Sequence, residues 1–197
     1  MKNLVMFATA LLLVGCSPGN NPGPTPDPGM EVYLRARSLY EQGDLSGARA
    51  LLESRTMAHL PAATVLLGRT LYFLGREAEA AETLEPLIRE APNHVDAAKW
   101  LARSYLALGR PEESRQVVIG ALSTSAEDAE LLLLMGQSAR DLGETQTAVE
   151  YYTKATTLSA RLAVGHVELA DIYRAAGIAN KAAHHARRAR SILGEGP

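Results

Sequence analysis

The single cysteine, Cys16, is the side chain whose position most clearly indicates a chemical reaction. It follows an uncharged, largely apolar run from residue 4 to residue 14, and Lys2 places a positive charge ahead of that run. A run of 11 residues is too short to cross a bilayer, which takes about 20 residues in a helix. The combination is typical of a secretory signal, so we expect residues 1–15 to be a signal peptide.

Residues 13–16, Leu-Val-Gly-Cys, resemble the lipobox of bacterial lipoproteins. The resemblance implies that cleavage makes Cys16 the new N-terminus and that its sulfur becomes diacylated. More than one acyl chain anchors a protein stably, whereas a single chain binds a membrane only marginally. Ser17 resembles the sorting signal for the outer membrane, which favours an outer-membrane lipoprotein facing the periplasm. The alternative is an ordinary signal peptide with a chance cysteine.

Proline dominates the segment that follows Cys16. Five of the ten prolines lie between residues 17 and 29, and this stretch has no large apolar side chain. Such a composition cannot bury enough surface to offset the entropy of ordering the chain. We therefore expect residues 16–29 to be a solvated tether that holds the following domain up to ~40 Å from the lipid.

Catalytic and metal-binding patterns are missing from the sequence. It has no GxxxxGK[ST], GxGxxG, HExxH or GxSxG motif. The five histidines are scattered, and the adjacent His184 and His185 would point about 100° apart on a helix. A net charge of −2 supplies no overall basic field for nucleic acid. We predict no catalytic residue, no cofactor, no metal site and no nucleic-acid partner.

Glycines recur at a nearly constant interval through the remainder of the chain. The intervals between them are 32, 34, 34 and 34 residues. Each glycine separates two segments with helical periodicity, and such a residue suits a helix end that needs positive φ. Small residues lie seven positions before and five positions after each glycine, where two helices could approach closely. The repeat glycines are Gly43, Gly75, Gly109, Gly143 and Gly177.

This pattern resembles the tetratricopeptide repeat family. The second unit is the clearest, with Leu67, Gly68, Leu71, Gly75, Ala80, Leu84 and Pro92. The resemblance implies an all-α, right-handed solenoid of about five antiparallel helix pairs. The units lie near residues 30–60, 61–93, 94–126, 127–160 and 161–194. Arg35, Ala139 and Ala186 depart from the usual large apolar residues, so we expect the end units to be the least tightly packed.

Positions that face ligands in this family carry arginine and tyrosine here. In such repeats the first helices line a concave surface, and an Arg–Tyr stripe there suits a peptide with acidic and apolar residues. The alternatives are that the arginines are simply solvated and the tyrosines fill gaps between helices. The candidate peptide-binding residues are Tyr33, Arg37, Tyr40, Arg69, Tyr72, Lys99, Trp100, Arg103, Arg140 and Arg174.

A second candidate surface lies near the C-terminus. Four cations there could meet anionic lipid or an acidic partner. The alternative is that they complement the negative end of a helix dipole. The residues are Lys181, Arg187, Arg188 and Arg190.

These features favour a non-catalytic adaptor, anchored by lipid, that binds a protein or peptide of the bacterial cell envelope. In layout it resembles the repeat-containing lipoproteins of pilus and secretion machinery, such as pilotins and Tad-pilus lipoproteins. One alternative is an organiser of cell-wall enzymes, or a lipoprotein that binds peptidoglycan. An unrecognised enzyme or a metal carrier is another, and self-association through the end faces stays open.

Overall fold

Helices account for all the regular structure in the described part of the chain, which comprises residues 28–54 and 60–194 of a computed structural model. The predicted signal peptide, Cys16 and most of the predicted tether lie outside these residues. The helices are α1 (Pro28–Glu41), α2 (Leu45–Leu52), α3 (Pro61–Phe73), α4 (Glu77–Glu90), α5 (Val95–Ala107), α6 (Pro111–Leu122), α7 (Ala129–Asp141), α8 (Thr145–Ala175) and α9 (Ala179–Leu193). With no strand in these two ranges, the predicted all-α fold is confirmed.

The repeat glycines form the turns within the helix pairs. Gly75 has a φ of 71° and Gly109 a φ of 69°, a left-handed conformation that side chains other than glycine rarely adopt. After Gly75, the amide of Arg76 donates a hydrogen bond of 3.0 Å to the carbonyl of Leu71, which closes the end of α3. The glycine spacing therefore fixes where each pair turns.

Small residues let the two helices of a pair approach closely. A Cβ added to Gly68 would lie 2.6 Å from Cγ of Leu84, and one added to Gly136 would lie 2.6 Å from the Tyr152 ring. The residues five positions after each glycine are buried to at least 95%. They are Ala48, Ala80, Ser114, Ala148 and Ala182.

Consecutive pairs stack to form the solenoid. The first helices α1, α3, α5 and α7 contact one another in series, and α2, α4 and α6 each contact the first helix of the next pair. A core cluster joins Val118 of α6 to Leu131 and Met135 of α7 across one of these junctions. This stacking buries a continuous core that no single pair could form.

The junction predicted near residue 160 lies inside α8, a continuous helix of 31 residues. The second helix of the fourth unit and the first helix of the fifth are thus one helix. The fifth pair forms from the second half of α8 and α9, but no turn separates it from the fourth unit. At the corresponding junction between α4 and α5 the chain has Pro92 and Asn93, whereas here it has Ala160 and Arg161. Proline and asparagine oppose helix continuation, while alanine and arginine favour it.

The second half of α8 packs against α9, and both helices bury alanines: Ala163 and Ala170 in α8, Ala182 and Ala189 in α9. We call residues 161–193 the terminal arm. Among the described helices, none has the length and apolar character that a bilayer span requires.

Candidate peptide-binding groove

The first helices of the first three pairs line a groove with a volume of about 430 Å³. Helix α1 contributes Tyr33, Arg37 and Tyr40, α3 contributes Arg69, and α5 contributes Trp100. These residues meet because α1, α3 and α5 pack side by side and present corresponding positions on one face. Half of the predicted stripe thus lines a single depression.

Four aromatic rings form one wall beside this groove. Phe73 lies between Tyr72 and Trp100, with ring centres 5.7 and 5.4 Å away, and Tyr40 approaches Phe73 at 6.4 Å. Such tilted and edge-to-face contacts are favoured geometries for aromatic pairs. Phe73 remains 51% exposed, so this wall presents apolar surface to a ligand.

Arg69 is one of two arginines that line the groove, with Arg37. Its guanidinium carbon lies 4.7 Å from the centre of the Tyr40 ring and 5.2 Å from that of Trp100. Its Nε is buried without a hydrogen-bond partner, and within residues 28–54 and 60–194 the side chain has no ion pair. The two rings hold a charged group whose donors remain unused, and a carboxylate is the natural acceptor for them.

Lys99 and Arg103 are already neutralised by carboxylates of the next repeat. Nζ of Lys99 lies 2.7 Å from Asp128 and 3.0 Å from Glu130, and Arg103 donates to Glu130 while stacking 4.6 Å from the Trp100 ring centre. Burial raises the pKa of Asp128 and Glu130, but these cations outweigh it and the pKa of each carboxyl lies below its ordinary value. Burial lowers the pKa of Lys99, but its two hydrogen bonds raise the net pKa.

The remaining predicted arginines have their own acidic neighbours. Arg37 pairs with Glu41 at 2.9 Å, Arg140 with Asp141 at 2.8 Å, and Arg174 with Asp171. Arg140 and Arg174 lie on α7 and α8 and do not line the groove. The tertiary structure therefore divides the predicted stripe into one unpaired arginine, Arg69, and a set of paired cations.

Three comparisons with known proteins bear on these repeats. Tetratricopeptide repeat profiles match residues 74–137, residues 129–161, and residues 32–54 together with 61–86. The chain carries tetratricopeptide repeats. Proteins built from such repeats are generally interaction scaffolds without catalytic activity, so this chain has the fold of a protein-binding scaffold. No curated protein matches it significantly.

Solved structures share the tetratricopeptide fold at low sequence identity. MamA from Desulfovibrio magneticus RS-1, solved from residue 41 to its end, is 17% identical, with a TM-score of 0.61, and the match covers 84% of this chain and 94% of that one. TTC0263, a thermophilic TPR protein of Thermus thermophilus, is 23% identical, with a TM-score of 0.60 and coverage of 85% and 92%. At these identities the likeness concerns the fold alone.

Sequence reasoning missed three residues that shape the tetratricopeptide groove. Phe73 joins its aromatic wall, and Asp128 and Glu130 neutralise the neighbouring Lys99 and Arg103. Asp128 also caps α7, because its carboxylate accepts hydrogen bonds from the amides of Glu130 and Leu131. The signal for the charge pairing was present, since both acids begin the first helix of the repeat that follows Lys99 and Arg103.

The predicted basic surface lies on the last helix of the array. Lys181, Arg187, Arg188 and Arg190 are exposed on α9, and Lys181 lies 5.2 Å from the Tyr173 ring centre. Nearby, Nδ1 of His166 lies 2.9 Å from Nδ1 of His185. Within the residues that the structure describes, no group of three or more His, Cys, Asp or Glu could hold a metal ion.

Proposed function

We propose that the protein is a lipid-anchored adaptor that binds an acidic segment of a cell-envelope protein in the groove around Arg69. The observation that carries the proposal is the guanidinium of Arg69, which stacks on Tyr40 and Trp100 and has no ion pair within the described residues. A partner carboxylate supplies the acceptor that this cation lacks, and hydrogen bonds between ionised groups are roughly twice as strong as neutral ones.

The surroundings of Arg69 favour a carboxylate that is flanked by an apolar side chain. Phe73 is half-exposed beside the groove, and Tyr33 and Val65 line it. Aromatic and arginine side chains supply most of the energy at many protein interfaces. Glu41 and Asp96 also line the groove, so a ligand with carboxylates along its whole length meets repulsion away from Arg69.

The anchoring part of the proposal depends on the N-terminal sequence. The apolar run, the lipobox-like Leu-Val-Gly-Cys and the proline-rich segment support diacylation of Cys16 and display of the repeats on a tether. We propose the periplasmic face of the outer membrane as the location, and the assembly of a pilus or a secretion machine as the process served.

Affinity capture from native membranes tests the groove. The full-length chain is crosslinked in the cell and captured, and the bound proteins are identified by mass spectrometry, with Arg69→Glu beside wild type. The matched control is Arg174→Glu, because Arg174 is an exposed arginine outside the groove. We expect one envelope protein to be lost from Arg69→Glu and kept by the control. A partner kept by both variants overturns the proposed binding site in the groove. Capture of cell-wall hydrolases or synthases favours an organiser of cell-wall enzymes over a pilus or secretion role.

A separate experiment tests the anchor. Cells grown with a labelled fatty acid should label the wild-type chain, and Cys16→Ser should abolish both the label and the membrane association. Equal membrane association of the two chains contradicts the lipid anchor without affecting the groove.

A further inference from the structure

Three positions of each first helix form the surface that packs on the preceding repeat. They lie twelve, eight and five residues before the repeat glycine. In the fourth repeat they are Leu131, Met135 and Ser138, all buried against α6 and its neighbours. The third repeat has buried residues at the same three positions, where α4 covers them: Ala97, Leu101 and Ser104.

In the fifth repeat the same positions are apolar but uncovered. They are Gly165, Leu169 and Ile172, which we call the arm face. Leu169 is 39% exposed and Ile172 is 60% exposed, whereas Leu101 and Met135 are 1% and 6% exposed. No heavy atom outside the helix's own local backbone lies within 4 Å of a Cβ built on Gly165.

The first repeat shows what this chain places on a face that no repeat covers. Its three positions are Glu31, Arg35 and Ser38, all polar and exposed. Terminal repeats of a solenoid need such a polar outer face to remain soluble. The arm face instead keeps the composition of an internal junction, although Leu169 and Ile172 on the continuous helix α8 stay exposed.

We infer that a second copy of this chain covers the arm face by exchanging terminal arms. The arm of each copy packs on the fourth repeat of the other, as α5 and α7 pack on the repeat before them within one chain. The interface continues one that the chain already forms at three junctions, α2 with α3, α4 with α5 and α6 with α7. Exchange of an identical element is a low-cost route to a dimer, and equivalent contacts already exist at the earlier junctions of the chain. The inference is independent of the proposed function.

One residue limits the stability of this dimer. Glu168 lies nine positions before Gly177, where the fourth repeat has the buried Leu134. A carboxylate opposes burial unless it is paired. We therefore expect a weak, reversible dimer that dissociates into single copies on dilution.

The test uses two full-length copies with different tags, expressed together and captured by one tag. Three variants, made in both copies, accompany wild type. Ala160→Pro with Arg161→Asn reproduces the Pro92–Asn93 junction and lets each arm fold back on its own chain. Leu169→Glu with Ile172→Glu places charge on the arm face. Val164→Glu is the matched control, because Val164 is 60% exposed and the equivalent residues of the third and fourth repeats are Asp96 and Glu130.

Wild type and Val164→Glu should capture the second copy, and both double variants should lose it while their circular dichroism stays helical. Sedimentation equilibrium of the purified full-length chain should show a dimer at high concentration that dissociates on dilution. Failure of wild type to capture its second copy overturns the inference. So does capture that survives both double variants. Neither result bears on Arg69, because the arm lies outside the groove.

Discussion

Arg69 and Trp100 come from neighbouring repeats and meet with 5.2 Å between the guanidinium carbon and the centre of the indole ring. Arg103 approaches the same ring at 4.6 Å, but Glu130 accepts its hydrogen bond. The indole thus lies between Arg103, which pairs with a carboxylate, and Arg69, which has no ion pair within the described residues. This difference between two equivalent positions of consecutive repeats locates the binding site that we propose.

The single tryptophan makes ligand binding directly measurable. Trp100 contacts Arg69, so a peptide whose carboxylate engages Arg69 should change the fluorescence of the full-length protein. We expect a saturable change with a peptide that carries glutamate beside phenylalanine, weakened by salt because screening reduces charge attraction. Arg69→Leu should abolish saturation, and Arg174→Leu should preserve it. Saturation by the glutamine analogue with equal affinity is the result that excludes a carboxylate site.

Acid should weaken the contacts between the third and fourth repeats. The pKa values of Asp128 and Glu130 in the folded protein lie below their ordinary values. Their contribution to stability is therefore complete above about pH 4, near the pKa of these carboxyls in an unfolded chain, and is lost as the pH falls through the lowered folded-state values. We expect the urea midpoint to drop over this range, and to drop less in Glu130→Gln. Glu82→Gln, in an exposed residue of α4, should titrate like wild type.

Two glycines within first helices should respond to alanine with opposite signs. Gly68→Ala drives a methyl group into Leu84 and should lower the free energy of unfolding by about 1–3 kcal/mol. Gly165→Ala meets open space in a helix and should raise it by up to about 1 kcal/mol. Urea denaturation of the full-length protein at low concentration measures both. Equal effects would mean that the close approach of α3 and α4 does not constrain Gly68.

Two leucines at equivalent positions should differ in their dependence on protein concentration. Leu101→Ala empties a fully buried site and should cost about 2–5 kcal/mol at any concentration. Leu169→Ala should cost little in dilute solution, where Leu169 is exposed, and more when the dimer is populated. Thermal unfolding at two protein concentrations distinguishes these responses. A concentration-independent Leu169→Ala effect disagrees with burial of this residue between copies.

Local interactions explain why the sequence predicts so much of this fold. Three features act over only a few residues: the glycine at each turn, the small residues at fixed distances from it, and the helical periodicity. The structure contains the turns that they predict, as at Gly75 and Gly109. The same register placed Tyr33, Arg37, Tyr40, Arg69 and Trp100 around one groove. Cys16 and its lipid remain a prediction, because they lie outside the described residues.

The tertiary structure decided which charges are free and where the repeat pattern breaks. Sequence positions alone give Arg69 and Arg103 the same role, but Arg103 donates to Glu130, whereas Arg69 forms no ion pair within the described residues, although the equivalent Asp96 lines the same groove. The continuity of α8 depends on a balance between helix propensity at Ala160 and Arg161 and the burial gained by turning back. The periodicity of one segment predicts neither the pairing of an arginine nor the continuity of α8, because both depend on contacts with the neighbouring repeat.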